Sequence, residues 1–319
     1  MRHWIEAARI RTLPLSISGI LVGSIYALAN PTKEVLTPTD VFSWKVFSFA
    51  ILTTLGLQIL SNFANDYGDG IKGTDNDDRV GPKRAIQSGV ISPAAMKKGI
   101  IVTAILTLAS AIALIYFAFG EENIGYSLFF LGLGILAISS AIRYTVGNTA
   151  YGYKGQGDIF VFVFFGLVST LGVNFLHSKQ VDLQLILPAI SIGLLSTAVL
   201  NLNNMRDELS DKKVGKNTLV VKMGGANAKK YHYFLVVAAM VCMVIFALIY
   251  NGVGFKFDQY LFLIAFIPLT LHLRRVTRNK DPRALDPELK KLALSTFFLS
   301  VLLCLGLIYL ISDILVNNA

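Results

Sequence analysis

Cysteine is nearly absent: the 319 residues hold two, Cys242 and Cys304, each inside an apolar stretch. That excludes a disulfide scaffold and leaves two buried structural thiols as the plain reading. Histidine is as sparse. His3, His177, His232 and His272 are isolated along the chain, so no His/Cys set has the spacing of a zinc site. Charge is also scarce, with 15% Asp, Glu, Lys and Arg where a soluble domain carries about 25%. No Walker loop, HExxH helix or nucleophile elbow occurs. Gly155-Gln156-Gly157-Asp158 is a lone glycine pair with no strand before it, which argues against a nucleotide fold.

What is present is apolar. The hydrophobic set reaches 54% of residues and the mean hydropathy is +0.60. Nine runs, roughly 13–30, 45–65, 98–119, 125–142, 159–177, 184–204, 231–250, 258–273 and 292–311, approach the length of a membrane-crossing helix. The run holding Pro268 is the shortest. Basic residues before the first run, and Ala27-Leu28-Ala29 after it, resemble a secretory signal. The run is longer than a signal core and opens on Arg9, Arg11, Thr12 and Pro14, so a retained first helix is expected. With the N-terminus inside, twenty-five of the 29 Lys and Arg fall on the cytoplasmic side, leaving Lys33, Lys45, Lys179 and Lys256 outside. Dropping one span would destroy that asymmetry. The formal charge of +9 is therefore mostly topology, with membrane lipid as the surrounding partner and no nucleic acid.

The outward loops are plain, whereas two inward segments, 66–97 and 205–230, carry acidic clusters and paired asparagines. Gln58, Asn62, Asp66 and Asp69 are spaced by four, four and three, so they share one helical face at the end of the second run. Asn203, Asp207 and Asp211 repeat the pattern at the end of the sixth, which runs in the same sense. Polar side chains at such depth face a bundle interior or a cavity. Carboxylates meeting from two helices repel unless cations sit between them, and Asn/Asp oxygens suit Mg²⁺ holding a phosphate. Lys72, Lys83, Arg84, Arg206 and Lys216 then make sense as clamps on the same anion. The blander alternative is an acidic face answering basic neighbours and lipid headgroups. Phe160, Phe162, Phe164 and Phe165 read as lipid-facing or core residues.

These residues resemble the UbiA superfamily of intramembrane aromatic prenyltransferases. The resemblance rests on Asn65-Asp66-Tyr67-Gly68-Asp69, Lys72-Gly73-Thr74-Asp75 and Gly81-Pro82-x-Arg84-Ala85-x-Gln87-Ser88-Gly89. It continues through Asn203-Asn204-x-Arg206-Asp207, Asp211 and Gly215-Lys216-x-Thr218-Leu219. Trp4-x4-Arg9-x-Arg11-Thr12-Leu13-Pro14 and Tyr144-Thr145-x-Gly147 leading to Gly152-Tyr153-x-Gly155-x-Gly157 also fit. The likeness is greatest to the branch acting on 1,4-dihydroxy-2-naphthoate. Asn148 stands where the family usually has proline, and Asp158 where it often has glutamate.

The resemblance implies an all-α, polytopic membrane protein, a single domain over 1–319 with nine helices around a central cavity open to the cytoplasmic side. It implies two Mg²⁺ ions, one held by Asn65, Asp66 and Asp69, the other by Asn203, Asp207 and Asp211. The ions would bridge a polyprenyl diphosphate that Lys72, Arg84, Arg206 and Lys216 contact. An electron-rich dihydroxynaphthoate would attack the allylic carbon, with loss of diphosphate and carbon dioxide. The acceptor carries a carboxylate and needs cationic and hydrogen-bonding groups backed by apolar surface. Arg143, Tyr144, Asn148, Tyr153 and Lys154 are the candidates, with Arg9 and Arg11 on another side. Other acceptors, such as 4-hydroxybenzoate or homogentisate, would use the same chemistry. A CDP-alcohol phosphotransferase would keep its aspartates in one tight run, and a transporter would place polar residues mid-span; neither fits. Nothing in the sequence names a protein partner.

Overall fold

The computed structural model describes residues 2–30, 41–76, 80–251 and 257–317, with side chains to Tyr309. Lys33, Asp77, Asp78, Arg79 and Lys256 lie outside the described residues. Among those described, nine helical segments are long and apolar enough to cross a membrane, from Arg2–Ala29 through Pro282–Tyr309. They correspond to the nine apolar runs. The chain is an all-α integral membrane protein.

The principal helices are α1 (Arg2–Ala8), α2 (Leu13–Ala29), α3 (Trp44–Ile71), α4 (Pro93–Phe119) and α5 (Ile124–Arg143). The sixth, α6 (Gly157–Ser178), is α-helical at both ends and π-wound over Phe162–Gly172. Then come α7 (Ile186–Lys213), α8 (Leu219–Met223), α9 (Gly225–Asn251), α10 (Phe266–Arg278) and α11 (Asp286–Asn317). Local chemistry sets their starts. Ser43 and Ser92 accept from the backbone N–H of Val46 and Ala95, each at 3.3 Å, and Pro93 supplies the first residue of α4. A 3-10 turn over Phe257–Ala265 leads into α10, so Pro268 sits in the first turn of an α-helix, where its missing N–H costs nothing. Arg9, at φ 51°, separates α1 from the 3-10 turn that enters α2.

Large apolar side chains face outward along α4, including Ile101, Val102, Ile105, Leu106 and Ile112. That is the composition of a lipid-facing surface. Interior packing uses small residues where backbones meet: a side chain at Gly166 of α6 would strike the Ala189 carbonyl and Gly193 of α7 at 2.6 Å. The largest core joins α2, α7, α9, α10 and α11 through Leu195, Leu202, Val236, Met243, Leu269 and Leu299. A second gathers Ala7, Ala8, Leu60, Phe63 and Met96, with Trp4 edge-on to Phe63 at 5.3 Å. A third, around Val46, Leu114, Phe119 and Val173, lies at the far end of the same helices. Between these cores runs a cavity of about 780 Å³.

Two histidines that look isolated in sequence are paired in space. His232 and His272 meet Nε2 to Nε2 at 2.9 Å, and His272 Nδ1 lies 2.9 Å from Glu288. Asn201 Nδ2 is 3.4 Å from His232 Nδ1. This buried chain stitches α7, α9, α10 and α11 together, and none of its four residues lines the cavity.

Candidate active site

The cavity has a charged end and an apolar end. On α3 its lining runs from Ala50 to Asp69, about 28 Å of helix rise, close to the hydrocarbon thickness.

The charged end is built on α3 and α7. Both helices continue past their apolar cores, to Ile71 and Lys213, because their polar side chains find local partners. Gln58 Nε2 donates to Thr12 Oγ1 at 3.2 Å and Asn62 Nδ2 to the Ala8 carbonyl at 2.9 Å, fastening the N-terminal turn across α3. Asp66 accepts the backbone N–H groups of Ala85 and Ile86 at 3.1 and 3.2 Å, which folds the 81–89 segment over the helix end. Asp69 accepts the Tyr153 hydroxyl at 2.8 Å. Thr145 Oγ1 donates to the Ala64 carbonyl at 2.9 Å and lies 3.2 Å from Asn65 Oδ1. Gly68 permits this approach, since a Cβ there would stand 2.7 Å from the Thr145 carbonyl carbon.

On α7 the second set is organised by Arg206. Its guanidinium grips Asp207 with two bonds of 2.8 and 2.6 Å, donates to Asn203 Oδ1 at 3.0 Å and reaches Asp286 Oδ1 at 2.6 Å. Gly81 passes directly above it: a Cβ at that position would be 2.7 Å from Nη2. Between the helices lies the Lys216 ammonium, 3.4 Å from Asp69 and 3.7 Å from Asp211. Burial opposes its charge, but the Asp69 and Asp211 carboxylates outweigh that and hold its pKa above the ordinary lysine value.

The two acidic sets therefore converge, and a protein cation already sits between them. Among the described residues no three His, Cys, Asp or Glu side chains form a closed cage. Mg²⁺ seldom needs one, because it takes one or two carboxylates, waters and substrate phosphates. An all-oxygen donor set drawn together around a cation fits that ion. Arg84 supplies an anion-facing group: it lines the cavity, its Nε lies 3.9 Å from Asp75, and its Nη1 is buried with no partner in the protein.

Further in, aromatic rings form a wall. Tyr144 and Tyr151 meet edge-on at 5.3 Å, Tyr151 stacks on Phe160 at 4.0 Å, and Phe160 is followed by Phe164 at 6.4 Å. Burial pushes the Tyr144 and Tyr151 phenols above the usual range, so both remain O–H donors. Arg9, Arg11 and Ile10 line the cavity from the N-terminal turn. Gln58 Oε1 and Ser196 Oγ are buried in the lining without a partner in the protein. Beyond them the lining becomes Leu57, Leu114, Ile115, Phe130, Val168 and Val173.

Asn65, Asp66, Asp69, Arg84, Asn203, Arg206 and Lys216 all line the cavity's charged end, while Asp207 and Asp211 adjoin it through Arg206 and Lys216. Lys72 is exposed and turned aside, donating to the Thr145 carbonyl at 2.8 Å and lying 4.1 Å above the Tyr153 ring. Burial lowers its pKa. Of the 143–154 candidates, Tyr144 alone lines the cavity. Arg143, Asn148 and Lys154 are exposed, and Tyr153 serves the carboxylate end through Asp69. Phe160, Phe164 and Phe165 line the cavity where lipid or core contact was expected. Sequence reasoning missed Asp286, Ser196 and Tyr151. Asp286 lies eighty residues from Arg206 with no motif around it, and Ser196 is one hydroxyl in an apolar run. The short arm and carboxylate of Asp286, at a helix start on the basic side, were the available signal.

The chain matches the model of the UbiA prenyltransferase family over residues 34–302. It is similar to the 1,4-dihydroxy-2-naphthoate octaprenyltransferase of Haemophilus influenzae, with 42% identity over 309 residues, 97% of this chain and 96% of that one. It is similar to the same enzyme of Escherichia coli, with 42% identity over 306 residues, 95% and 94% of the two chains. A UbiA homolog from Archaeoglobus fulgidus, solved with GPP and Mg²⁺, shares the fold at a TM-score of 0.66 and 15% identity, covering 97% of this chain and 99% of that one.

Proposed function

Because this chain belongs to the UbiA prenyltransferase family, we propose that its cavity is a prenyl-transfer site with a diphosphate end and an acceptor end. The enzyme transfers a polyprenyl group from polyprenyl diphosphate to 1,4-dihydroxy-2-naphthoate and gives demethylmenaquinol, releasing carbon dioxide and diphosphate, in an Mg²⁺-dependent reaction. The observation that carries the residue assignment is the convergence of the α3 and α7 oxygen sets on one mouth of an otherwise apolar cavity.

Asn65, Asp66 and Asp69 would hold one Mg²⁺ ion and Asn203, Asp207 and Asp211 the other. When bound, the metal neutralises charge on the diphosphate as it leaves. Arg84, Arg206 and Lys216 donate to diphosphate oxygens, with Lys72 at the rim. Tyr153 holds Asp69 in place. Arg9 and Arg11 attract the acceptor's carboxylate, Tyr144 and the Tyr151–Phe160 stack flank its rings, and Gln58 and Ser196 offer hydrogen bonds to its hydroxyls. Arg143, Asn148 and Lys154 supply outer charge and polarity at the entrance rather than ring contacts. Phe164, Val168 and Val173 keep water from the allylic carbon, so the carbon–oxygen bond to diphosphate is replaced by a carbon–carbon bond and not by hydrolysis. The isoprenoid tail occupies the apolar end.

The mouth faces the cytoplasm, following the basic residues. The N-terminus is cytoplasmic, the C-terminus external, and residues 1–319 act as one domain in the inner membrane. Protein purified in detergent, given Mg²⁺, polyprenyl diphosphate and each of three aromatic acids, tests the assignment. Product mass should show prenylation with loss of carboxyl from the dihydroxynaphthoate. Prenylated 4-hydroxybenzoate or homogentisate as the main product would overturn the acceptor.

A further inference from the structure

Asp286 begins α11 and belongs to neither acidic motif, yet it completes the shell around Arg206. Both oxygens of Asp207 and the amide oxygen of Asn203 are held by one guanidinium. Those are the oxygens assigned above to a metal. A divalent cation competes with Arg206 for these oxygens, because each positive charge beside the carboxylate weakens its hold on the other. Metal binding is therefore favoured when Arg206 turns away, and its side chain is only 2% exposed. A buried guanidinium that lost every partner in turning would be strongly disfavoured. Asp286 removes that obstacle. It holds Nη1 at 2.6 Å, on the side of the guanidinium not engaged with Asp207 or Asn203, and its own side chain is 29% exposed and fixed at a helix start.

We propose that Asp286 is the pivot about which Arg206 turns from Asp207 and Asn203 toward the diphosphate when metal arrives. Asp286 is thus a positioning residue that acts through Arg206 and touches no substrate. Its second oxygen lies 3.9 Å from Arg11 Nη1, so the same carboxylate ties the pivot to the N-terminal turn lining the cavity. The inference rests on the metal assignment of Asn203 and Asp207.

Mn²⁺ binding measured by electron paramagnetic resonance, on the full-length protein in detergent with inorganic diphosphate present, tests it without turnover. Wild type should bind Mn²⁺. Asp286→Asn should bind it about tenfold more weakly, the scale of a close charged pair uncoupled, and Asp286→Glu should recover most of the loss. In an Arg206→Ala background no guanidinium competes for Asp207, so adding Asp286→Asn should change Mn²⁺ affinity less than twofold. Wild-type affinity in Asp286→Asn, or an undiminished tenfold effect without Arg206, overturns the pivot. Failure of wild type to bind Mn²⁺ overturns the metal assignment itself. Should Asp286→Asn not fold, Asp286→Ser, a neutral residue suited to a helix start, carries the test with the same expected loss and the same disappearance without Arg206.

Discussion

The two ends of the cavity are closed by different forces. At the charged end nearly every contact is a matched pair: Lys216 with Asp69 and Asp211, Arg206 with Asp207 and Asp286, Asp66 with two backbone N–H groups. At the far end the contacts are rings. Phe119, Tyr126, Phe130 and Phe175 pack with centroids 5.1 to 6.3 Å apart, and Lys179 rides 4.8 Å above Phe119. Paired charges are fixed in direction and can be exchanged for a ligand's charges. Ring packing has only a weak preference for edge-on or offset geometry and offers no charge to exchange for a ligand's. Recognition therefore belongs to the first end and accommodation of a long apolar chain to the second.

The sharpest way to break this contrast is to remove charge from the first end. Asp69→Asn and Asp207→Asn should each lower kcat by about a hundredfold or more, the usual cost of losing a group that stabilises developing charge. Both proteins should still elute as folded species in detergent. Full turnover in either variant would mean that only one acidic set is used. Next in size is Phe119→Ala at the far end, which should cost about 3 kcal/mol of stability through the void it leaves. A thermal melt reads that loss, while the Mg²⁺ concentration giving half-maximal rate should stay unchanged. Arg84→Gln should raise the KM for the prenyl diphosphate about tenfold, as expected of a charge-assisted bond, whereas the exposed Arg143→Gln should leave it within about twofold. Equal effects would erase the distinction between cavity and rim.

The smallest expected effect concerns pH. Burial pushes the Lys179 ammonium down to about 8. The unfolded chain, with a lysine near 10.5, then binds more protons between those values, so this residue's unfavourable contribution is full below about pH 8 and fades as pH rises toward 10.5. Lys179→Met should raise the melting temperature at pH 7, with a gap over wild type that narrows above pH 8. A gap that widens with pH would reverse the sign.

The charged end was legible in the sequence because helical spacing and depth act together. Asp66, Asp69, Asp207 and Asp211 stand out where the chain ought to be apolar, and the period assigns them a shared face. The acceptor end was not. An aromatic ring that faces a cavity and one that faces lipid obey the same composition rule, so Phe160 and Phe164 carried no mark. A loop rich in tyrosine and basic residues drew attention to Arg143, Asn148 and Lys154, yet exposure on a wet surface satisfies those groups equally well. Partners supplied from a distant helix, as Asp286 is to Arg206, leave no trace in local spacing. The His232–His272 bond is hidden for the same reason, each ring being set in its own apolar run.

The π-wound stretch of α6 has a consequence for how this chain tolerates insertions and deletions. Eleven consecutive residues, Phe162–Gly172, follow the wider winding, in which hydrogen bonds skip five residues instead of four. Deleting a single residue there would let the segment relax toward ordinary α-winding, whose tighter turn offsets the lost residue's rotation for the flanks but moves residues inside the stretch to new faces. Phe164 and Val168 would no longer share a wall with Phe160, and Ser169 and Thr170 would lose their seat against Gly19 and Gly23. Substitution can explore this helix freely on its lipid side, whereas its length is frozen.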